Sequence, residues 1–328
     1  MSVVKLDPAY KDYIWGGTRL RDDFGKQSSC ERIAESWELA CRKDGESLLH
    51  GTDITLSEYI SRKGRSVLGT NCQDCREFPL LIKLIDAADD LSVQVHPSDE
   101  YALIHEGESG KTEMWFVLSC EKDAQLICGF ERDITKSEFE KAIKDETLLD
   151  KVHRVAVKQG DVFFIPPNTL HAIGKGILLA EIQQNSNTTY RVYDYGRLGK
   201  DGKPRELHIQ KALDVTDTSR AVQTERFETV AAEGFEYRVL ASCEHFTVVS
   251  FEVTESAKLF INDESFAHML IYSGDAEIKA DKTIHAKKGD SLFIDAASGE
   301  ITVSGKCSFI LTRYGCGFSE GTDKLVEE

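Results

Sequence analysis

The sequence predicts a mainly β protein, built as two barrels or sandwiches of short strands with a few short helices. Short apolar runs bounded by Gly, Asp, Asn and Pro recur along the chain, for example at 80–86, 113–118 and 301–312. Many such runs at regular spacing are typical of all-β barrels and sandwiches. Helical signals are few, and one stretch near residue 160 is echoed near residue 290. These observations favour two related barrels over an α/β layer fold.

Three segments predict short helices. Thr55 and Glu58 have the spacing of a capping box, and so do Thr135 and Glu138. In this motif the hydroxyl and the carboxylate each bind a backbone N–H group at the start of a helix. We expect a third short helix at 208–215.

The internal echo predicts how the two barrels differ. The segment KQGDVFFI around Gly160 resembles KGDSLFI around Gly289. Eleven residues after the glycine, His171 stands in the first copy and Glu300 in the second. The second barrel is therefore expected to be degenerate, since it lacks the histidine of the first.

Chain length and one polar segment predict the domain boundary. A chain of 328 residues suggests about two domains. Residues 216–234 are polar, and the boundary is placed there. We predict a catalytic domain with short helical insertions at 1–225 and a degenerate C-terminal barrel at 226–328.

Composition excludes several classes of function. Lys and Arg number 40 and Asp and Glu 56, which makes the net charge −16. A surface this acidic repels phosphate backbones and anionic lipid, so neither nucleic acid nor a membrane is an expected partner. No run of 18 apolar residues predicts a transmembrane helix. The nine scattered cysteines, without a visible export signal, predict reduced thiols in a cytoplasmic protein.

Three segments carry residues that bind metals. In 91–96, strand alternation places Ser92, Gln94 and His96 on one face, opposite the apolar residues. Glu113 opens a second strand, which is apolar on both faces. A third segment runs from a Gly turn through an apolar strand and a Pro-Pro-Asn corner to His171.

These segments resemble the two cupin motifs. The third one resembles G-x5-P-x-G-x2-H, with Asn168 in the place of the second glycine. Gln94, His96 and Glu113 resemble the first motif, H-x-H followed by Glu, with Gln in the place of the first His. With His171 they make a nitrogen and oxygen ligand set that suits one Zn²⁺ per chain. Fe²⁺, Mn²⁺ and Co²⁺ remain alternatives.

Four further charged residues stand in segments where charge is unexpected. Lys83 and Glu181 each interrupt a continuous apolar run, and an unpaired buried charge is costly. Lys111 lies two residues before Glu113 and therefore on the same strand face. Arg191 is expected to share a face with Tyr193, which fits an anion site or a charge-stabilising role.

The combined segments resemble the short bacterial form of type I phosphomannose isomerase. The resemblance extends between residues 5 and 215 and rests on these ordered blocks: YIWGG from Tyr13, ESWE from Glu35, FPLLIK from Phe78, LSVQVHP from Leu91, GKTEMW from Gly110, IPPNTLHA from Ile165 and NTTYR from Asn187. It implies two cupin-like jelly-roll barrels, the second degenerate. It also implies interconversion of mannose 6-phosphate and fructose 6-phosphate through a cis-enediol.

The resemblance also implies roles for individual residues. Zinc would be held by His96, Glu113 and His171, with Gln94 as the least secure ligand, and Arg191, Lys111 and Glu181 would be the catalytic residues. Glu181, Lys111 and a metal-bound water all remain candidates for the base. Substrate binding would fall to Lys83, at the phosphate end, with Ser92 and Tyr193. One departure is Ile173, where long forms have Tyr, so Tyr193 or Tyr13 would supply that contact.

Two other functions remain as alternatives. Two His and one carboxylate also describe a non-haem iron oxygenase of the cupin class, but three cations would serve no purpose with an apolar substrate. A non-catalytic sugar-phosphate-binding cupin would need an attached signalling or DNA-binding domain, and no helix-turn-helix pattern is visible.

Overall fold

The structure is a computed structural model that describes residues 3–199, 202–221 and 227–316. Its regular elements are mostly β-strands. The strands that precede residue 200 are β1 (Val3–Asp7), β2 (Ala9–Lys11), β3 (Glu35–Leu39), β4 (Cys41–Arg42), β5 (Gly45–Glu46), β6 (Leu48–Leu49), β7 (Leu80–Ala87), β8 (Val93–Val95), β9 (Glu113–Cys120), β10 (Gln125–Phe130), β11 (Val152–Ala156), β12 (Val162–Ile165), β13 (His171–Ala172), β14 (Ile177–Gln184) and β15 (Tyr190–Tyr193).

The strands of the C-terminal third are β16 (Thr229–Ala232), β17 (Phe235–Ser242), β18 (Phe246–Val253), β19 (Ser256–Ile261), β20 (Ala267–Lys279), β21 (Thr283–Lys287), β22 (Ser291–Ile294), β23 (Gly299–Ser304) and β24 (Cys307–Tyr314). The helices are α1 (Arg19–Asp22), α2 (Leu56–Lys63), α3 (Asp99–His105), α4 (Lys136–Lys144) and α5 (Ile209–Val215), with 3₁₀ turns at Arg65–Leu68, Thr70–Cys72 and Leu148–Asp150.

Two antiparallel sheets form the first barrel. One has six strands in the order β12-β9-β14-β7-β3-β2, and the other has five in the order β11-β10-β13-β8-β15. Both faces of the six-stranded sheet are covered, and most of its side chains are apolar. Its inner face packs on the five-stranded sheet through residues such as Trp115, Ile85 and Leu179. Its outer face packs on the C-terminal third, where Ile82 and Phe116 share one core with several phenylalanines.

The second barrel uses a strand from the start of the chain. In its sheet the main path is β16-β17-β18-β24-β20-β22-β1-β6, with β19, β21 and β23 attached to the side. β1 pairs antiparallel with β22, Val3 opposite Ile294, and so brings the N-terminal residues into the C-terminal barrel. The boundary at 225/226 stays a prediction.

The turn residues and caps agree with the sequence-based expectations. Gly160 and Gly289 both have positive φ, 85° and 91°, and each leads into a short strand of its own barrel. Asn168 has φ 69°, so an asparagine adopts the left-handed conformation in the place of the motif's glycine. Thr55 caps α2 by accepting from the Glu58 backbone N–H, and at α4 both halves of the capping box between Thr135 and Glu138 are present. The predictions of a mainly β fold and of a third helix, α5, are confirmed.

Two helices, α1 and α3, were not predicted from the sequence. Both are short, with four and seven residues, and neither begins with a capping-box spacing, since Arg21 and Tyr101 stand three residues after the N-caps Thr18 and Ser98. No helix among the described residues is long and apolar enough to cross a membrane.

Candidate active site

The candidate site lies between the two sheets of the first barrel. The six-stranded sheet contributes Glu113 at the start of β9, Lys83 in β7 and Glu181 in β14. Antiparallel register places Glu181 directly opposite Lys83 on one side and opposite Trp115 on the other. Neighbouring strands therefore direct all three charged groups toward one interior region.

The five-stranded sheet contributes the facing groups. His171 opens β13 and pairs with Gln94 of β8, and Arg191 of β15 pairs with the same Gln94 from the other side. His96 follows β8, where its carbonyl accepts a 2.7 Å hydrogen bond from the Asn168 backbone N–H. The left-handed corner at Asn168 thus ties the His96 segment to the segment that leads into His171.

His96, Glu113 and His171 form a compact cluster of possible metal ligands. One ligand atom from each lies within 4.8 Å of the others, and all three side chains are buried. His96 Nδ1 lies 2.9 Å from the Thr188 carbonyl and His171 Nδ1 lies 2.8 Å from the Thr169 carbonyl. A carbonyl can only accept, so both Nδ1 atoms carry the proton and both Nε2 atoms present a lone pair to the cluster, as metal-binding imidazoles do.

The electrostatics of this cluster suit a divalent cation. Burial and the charge of Lys111 lower the pKa of both histidines, that of His171 to about 4, so the imidazoles stay neutral. Burial and the Glu181 carboxylate raise the pKa of Glu113 to about 7. Glu113 Oε1 is buried with no hydrogen-bond partner. An orphaned carboxylate oxygen beside two imidazole lone pairs fits a metal ion.

Lys111 links the ligand cluster to the rest of the site. Its Nζ hydrogen-bonds to Glu113 and donates to His96 Nε2 at 3.0 Å. It also lies 3.8 Å from Glu181 Oε1. A lysine placed between the ligands and a second carboxylate can reach a group bound at the metal.

Gln94 lies at the edge of the ligand cluster. Its amide nitrogen is 3.4 Å from His171 Nε2, and its amide oxygen accepts from the Ser92 hydroxyl at 3.4 Å. The oxygen and nitrogen of an amide exchange places when the group rotates by half a turn. Rotation would direct the oxygen of Gln94 toward the metal ligands.

Lys83 is held by two carboxylates. Its Nζ donates to Glu181 Oε1 at 2.9 Å and lies 3.8 Å from Glu35 Oε2. Burial alone would lower the pKa of Lys83, but these carboxylates raise it above the usual value. The carboxylates are fixed in turn by indole N–H groups, since Trp115 donates to Glu181 at 3.0 Å and Trp37 to Glu35 at 2.7 Å.

A cavity of about 270 Å³ adjoins these groups. Its lining includes the predicted residues Lys83, Ser92, Gln94, Lys111, Glu181 and Arg191. Tyr13 and Ile173 also line it, so the contact expected from Tyr13 is geometrically possible. Burial and the Glu35 carboxylate raise the pKa of Tyr13 to about 12, which keeps the phenol protonated.

Arg191 enters the cavity and Tyr193 does not. Arg191 Nε donates to the Ser92 hydroxyl at 3.3 Å and Nη1 donates to the Glu206 carbonyl at 2.9 Å. A bulge between Arg191 and Tyr193 breaks the regular pairing with β8, and with it the alternation on which their common face was predicted. Tyr193 instead packs against an apolar cluster and against Tyr195, at 4.9 Å between ring centroids.

Several lining residues had no role in the sequence-based prediction. They are Glu35, Asn187, Thr189 and Arg205. Glu35 belongs to a block that carried the family resemblance, and its carboxylate next to Trp37 was the available signal. Arg205 lies in an irregular segment, where no period indicates which side chains point inward.

Both the N-terminal and the C-terminal part of the chain are similar to known proteins. The family model for the catalytic domain of type I phosphomannose isomerase matches residues 3–145, and the model for the cupin domain of mannose-6-phosphate isomerase matches residues 237–314. Mannose-6-phosphate isomerase ManA of Bacillus subtilis is 38% identical over 310 residues, which cover 93% of this chain and 96% of that protein. The mannose-6-phosphate isomerase of Streptococcus mutans is 37% identical over 287 residues, with 86% and 88% coverage.

The fold is likewise similar to a solved structure. The crystal structure of the mannose 6-phosphate isomerase from Bacillus subtilis superimposes with a TM-score of 0.89 at 35% identity, and the match covers 95% of this chain and 99% of that one. Both barrels are therefore part of the likeness.

Proposed function

The chain belongs to the type I phosphomannose isomerases, and on that basis we propose that it interconverts mannose 6-phosphate and fructose 6-phosphate. The reaction moves a proton between C1 and C2 of the open-chain sugar through a cis-enediol. The observation that carries the proposal is the buried His96–Glu113–His171 cluster beside a cavity lined by Lys83, Lys111 and Arg191. Metal ligands and cations at one cavity suit a polar, doubly charged sugar phosphate.

His96, Glu113 and His171 are proposed to hold one Zn²⁺, with Gln94 as a fourth ligand. Two neutral imidazoles and a carboxylate are the ligand set of catalytic zinc sites, which keep a position open. When bound, the metal would act as a Lewis acid that polarises the carbonyl and hydroxyl oxygens of the sugar. Fe²⁺, Mn²⁺ and Co²⁺ accept the same ligands, so metal analysis has to identify the ion.

Lys111 is proposed to carry the proton between C1 and C2 as the neutral amine, which accepts the proton from one carbon and returns it to the other after the ammonium has first released a proton to solvent. Glu181 is the weaker candidate because its two oxygens already accept from Lys83 and Trp115. Burial alone would raise the pKa of Glu181, but the charges of Lys111 and Lys83 hold it below the usual value, which makes the carboxylate a poor base. Lys111 both lines the cavity and contacts the metal ligands. Glu181 then orients the two lysines.

Arg191 is proposed to stabilise the negative charge that develops on the enediolate. A guanidinium remains charged at any working pH, so it is a poor base and a good electrostatic partner. Its Nε is linked to the ligand cluster through Ser92 and Gln94, in contacts of 3.3 and 3.4 Å. Lys83 and Ser92 line the same cavity and are proposed to contact the substrate.

The alternatives find less support in the site. An oxygenase for apolar substrates would not surround its metal ligands with Lys83, Lys111 and Arg191. A mere binding protein would not need a proton carrier beside the metal ligands. The cytoplasmic location stays a prediction from the sequence.

A coupled assay tests the proposal. Purified protein is given mannose 6-phosphate and the appearance of fructose 6-phosphate is followed, before and after treatment with a chelator and after readdition of Zn²⁺. We expect turnover that the chelator abolishes and the metal restores. Absence of turnover in the metal-loaded protein would refute the proposed function, and full turnover of metal-free protein would refute its metal dependence.

A further inference from the structure

Asp194 holds two guanidinium groups at the rim of the cavity. This residue directly follows β15, and its carboxylate is almost fully buried. Arg205 binds it in a bidentate manner, Nε to Oδ2 at 2.7 Å and Nη2 to Oδ1 at 2.5 Å. Arg197 Nη2 lies 2.6 Å from Oδ1 of the same carboxylate. One aspartate therefore fixes the orientation of both arginines.

Positive charge exceeds negative charge at this end of the cavity. Asp194 offsets one of the two charges of Arg197 and Arg205, and the exposed Asp89 lies 3.7 Å from Arg197 on its outer side. Arg191 donates to two neutral oxygens, and its charge is opposed at longer range by Asp194 and by the exposed Glu206. Burial and then the charge of Arg205 lower the pKa of Arg191, which reflects how close the two guanidiniums lie.

Lys83, by contrast, has little charge to offer a dianion. It donates to Glu181 and lies near Glu35, so two carboxylates surround one ammonium group. A phosphate placed there would meet both carboxylates. Arg191 and Arg205 line the same cavity with a net positive charge, in a protein whose total charge is −16.

We propose that Arg205 is the substrate-binding residue that anchors the phosphate, and that Asp194 positions Arg205 for this role. The inference rests on the proposed function and deepens it, because it names the residue that distinguishes a sugar phosphate from a neutral sugar. Asp194 accepts from Nε and Nη2 on one edge of the Arg205 guanidinium, so phosphate would be bound through the N–H donors of the Nη1 edge. Lys83 is then left to contact the hydroxyl groups of the sugar.

Calorimetric binding to the metal-loaded, full-length protein tests this assignment. The probes are mannose 6-phosphate, inorganic phosphate and mannose, and the variant is Arg205→Met. Loss of a charge-assisted contact is expected to weaken binding of both phosphate compounds by about 10- to 100-fold. Binding of mannose is expected to stay as in the wild type. In the assay, KM for mannose 6-phosphate should rise while kcat falls much less.

Arg19→Met is the matched control. Arg19 contacts Asp86 through Nε and the backbone, its side chain is 25% exposed against 24% for Arg205, and it lies outside the cavity lining. The variant Arg19→Met should leave phosphate affinity unchanged. Asp194→Asn should weaken phosphate binding partially, since Arg205 keeps its charge and loses its orientation.

The outcomes separate this inference from the proposed function. Unchanged phosphate affinity in Arg205→Met, or equal losses in Arg205→Met and Arg19→Met, would overturn the inference even if the wild type isomerises mannose 6-phosphate. A wild type without turnover would overturn the proposed function, while selective loss of phosphate binding in Arg205→Met would still support the anchor.

Discussion

Lys83 and Glu181 lie directly opposite each other on adjacent antiparallel strands and form a buried ion pair, with 2.9 Å between Nζ and Oε1. Each is at most 5% exposed. The pair stands in the middle of two apolar strands because it faces the cavity, while the residues on either side of it face the hydrophobic core. Substituting one or both members of the pair therefore tests its contribution to stability and to substrate binding.

Lys83→Met should destabilise the protein and weaken substrate binding. Removing one partner of a buried ion pair typically costs about 3–5 kcal/mol of unfolding free energy, because the other charge is left buried. The double variant Lys83→Met/Glu181→Leu should recover a large part of that loss. Denaturant unfolding of both variants measures this, and a double variant less stable than Lys83→Met would contradict it. KM for mannose 6-phosphate should rise in Lys83→Met.

His171→Ala should abolish both metal content and turnover. The residue supplies one of the three ligand atoms, and its Nε2 has no substitute within the cluster. Elemental analysis and the coupled assay measure the two effects. His153→Ala changes a partly exposed histidine paired with Glu131; this variant is the control and should keep both. Retention of the metal in His171→Ala would show that this ligand was assigned wrongly.

The wild type should contain one tightly bound divalent ion per chain, and none in the second barrel. Asp295 and Glu300 stand there in the places of Pro166 and His171. Asp295 already accepts hydrogen bonds from the Tyr59 hydroxyl at 2.9 and 3.1 Å. Elemental analysis of the wild type and of His171→Ala provides the measurement. A tight ion that survives the His171→Ala substitution would refute this prediction.

Arg191→Ala should lower kcat by about 10² to 10³, in line with the loss of one oxyanion donor, and change KM little. The reason is that its charge interacts with the enediolate, which exists only after proton abstraction. Steady-state kinetics separate the two parameters. If kcat is kept and only binding weakens, Arg191 acts as a phosphate ligand alone, beside Arg205.

His268 is a buried histidine of the second barrel, and it should make the free energy of unfolding decrease as the pH is lowered. Burial lowers its pKa to about 3, so the folded protein keeps it neutral while the unfolded chain binds a proton below about pH 6.5. Its contribution is therefore complete above pH 6.5 and is lost as the pH decreases from 6.5 toward 3, by at most about 1.4 kcal/mol per pH unit.

Unfolding experiments at several pH values check this dependence. The variant His268→Gln should have a smaller loss of unfolding free energy between pH 6.5 and 5 than the wild type. His285→Gln, at an exposed position, should behave as the wild type does. Equal slopes in His268→Gln and the wild type would contradict the assignment.

Sequence reasoning predicted most of the residues that the structure brings together at the candidate site, because the signals for them are local. The cupin spacing placed His96, Glu113 and His171 together, and the structure brings their ligand atoms within 4.8 Å. Charges inside apolar runs indicated Lys83 and Glu181, since a charge in a buried strand needs a partner. The caps at Thr55 and Thr135 indicated two helices, and this signal is also local because the capping contacts are made within one helical turn.

Only the tertiary structure decided which distant segments meet. Alternation assigned Tyr193 to the face of Arg191, but one bulge against β8 removed it from the cavity. The sequence around Arg205 gave no pattern, and in the structure Arg205 lines the cavity with its guanidinium bound by Asp194. β1 joined a sheet whose other long strands follow residue 228, through pairing with β22. Such contacts depend on register and on loop paths between residues far apart in sequence, and a local pattern of residues carries no information about either.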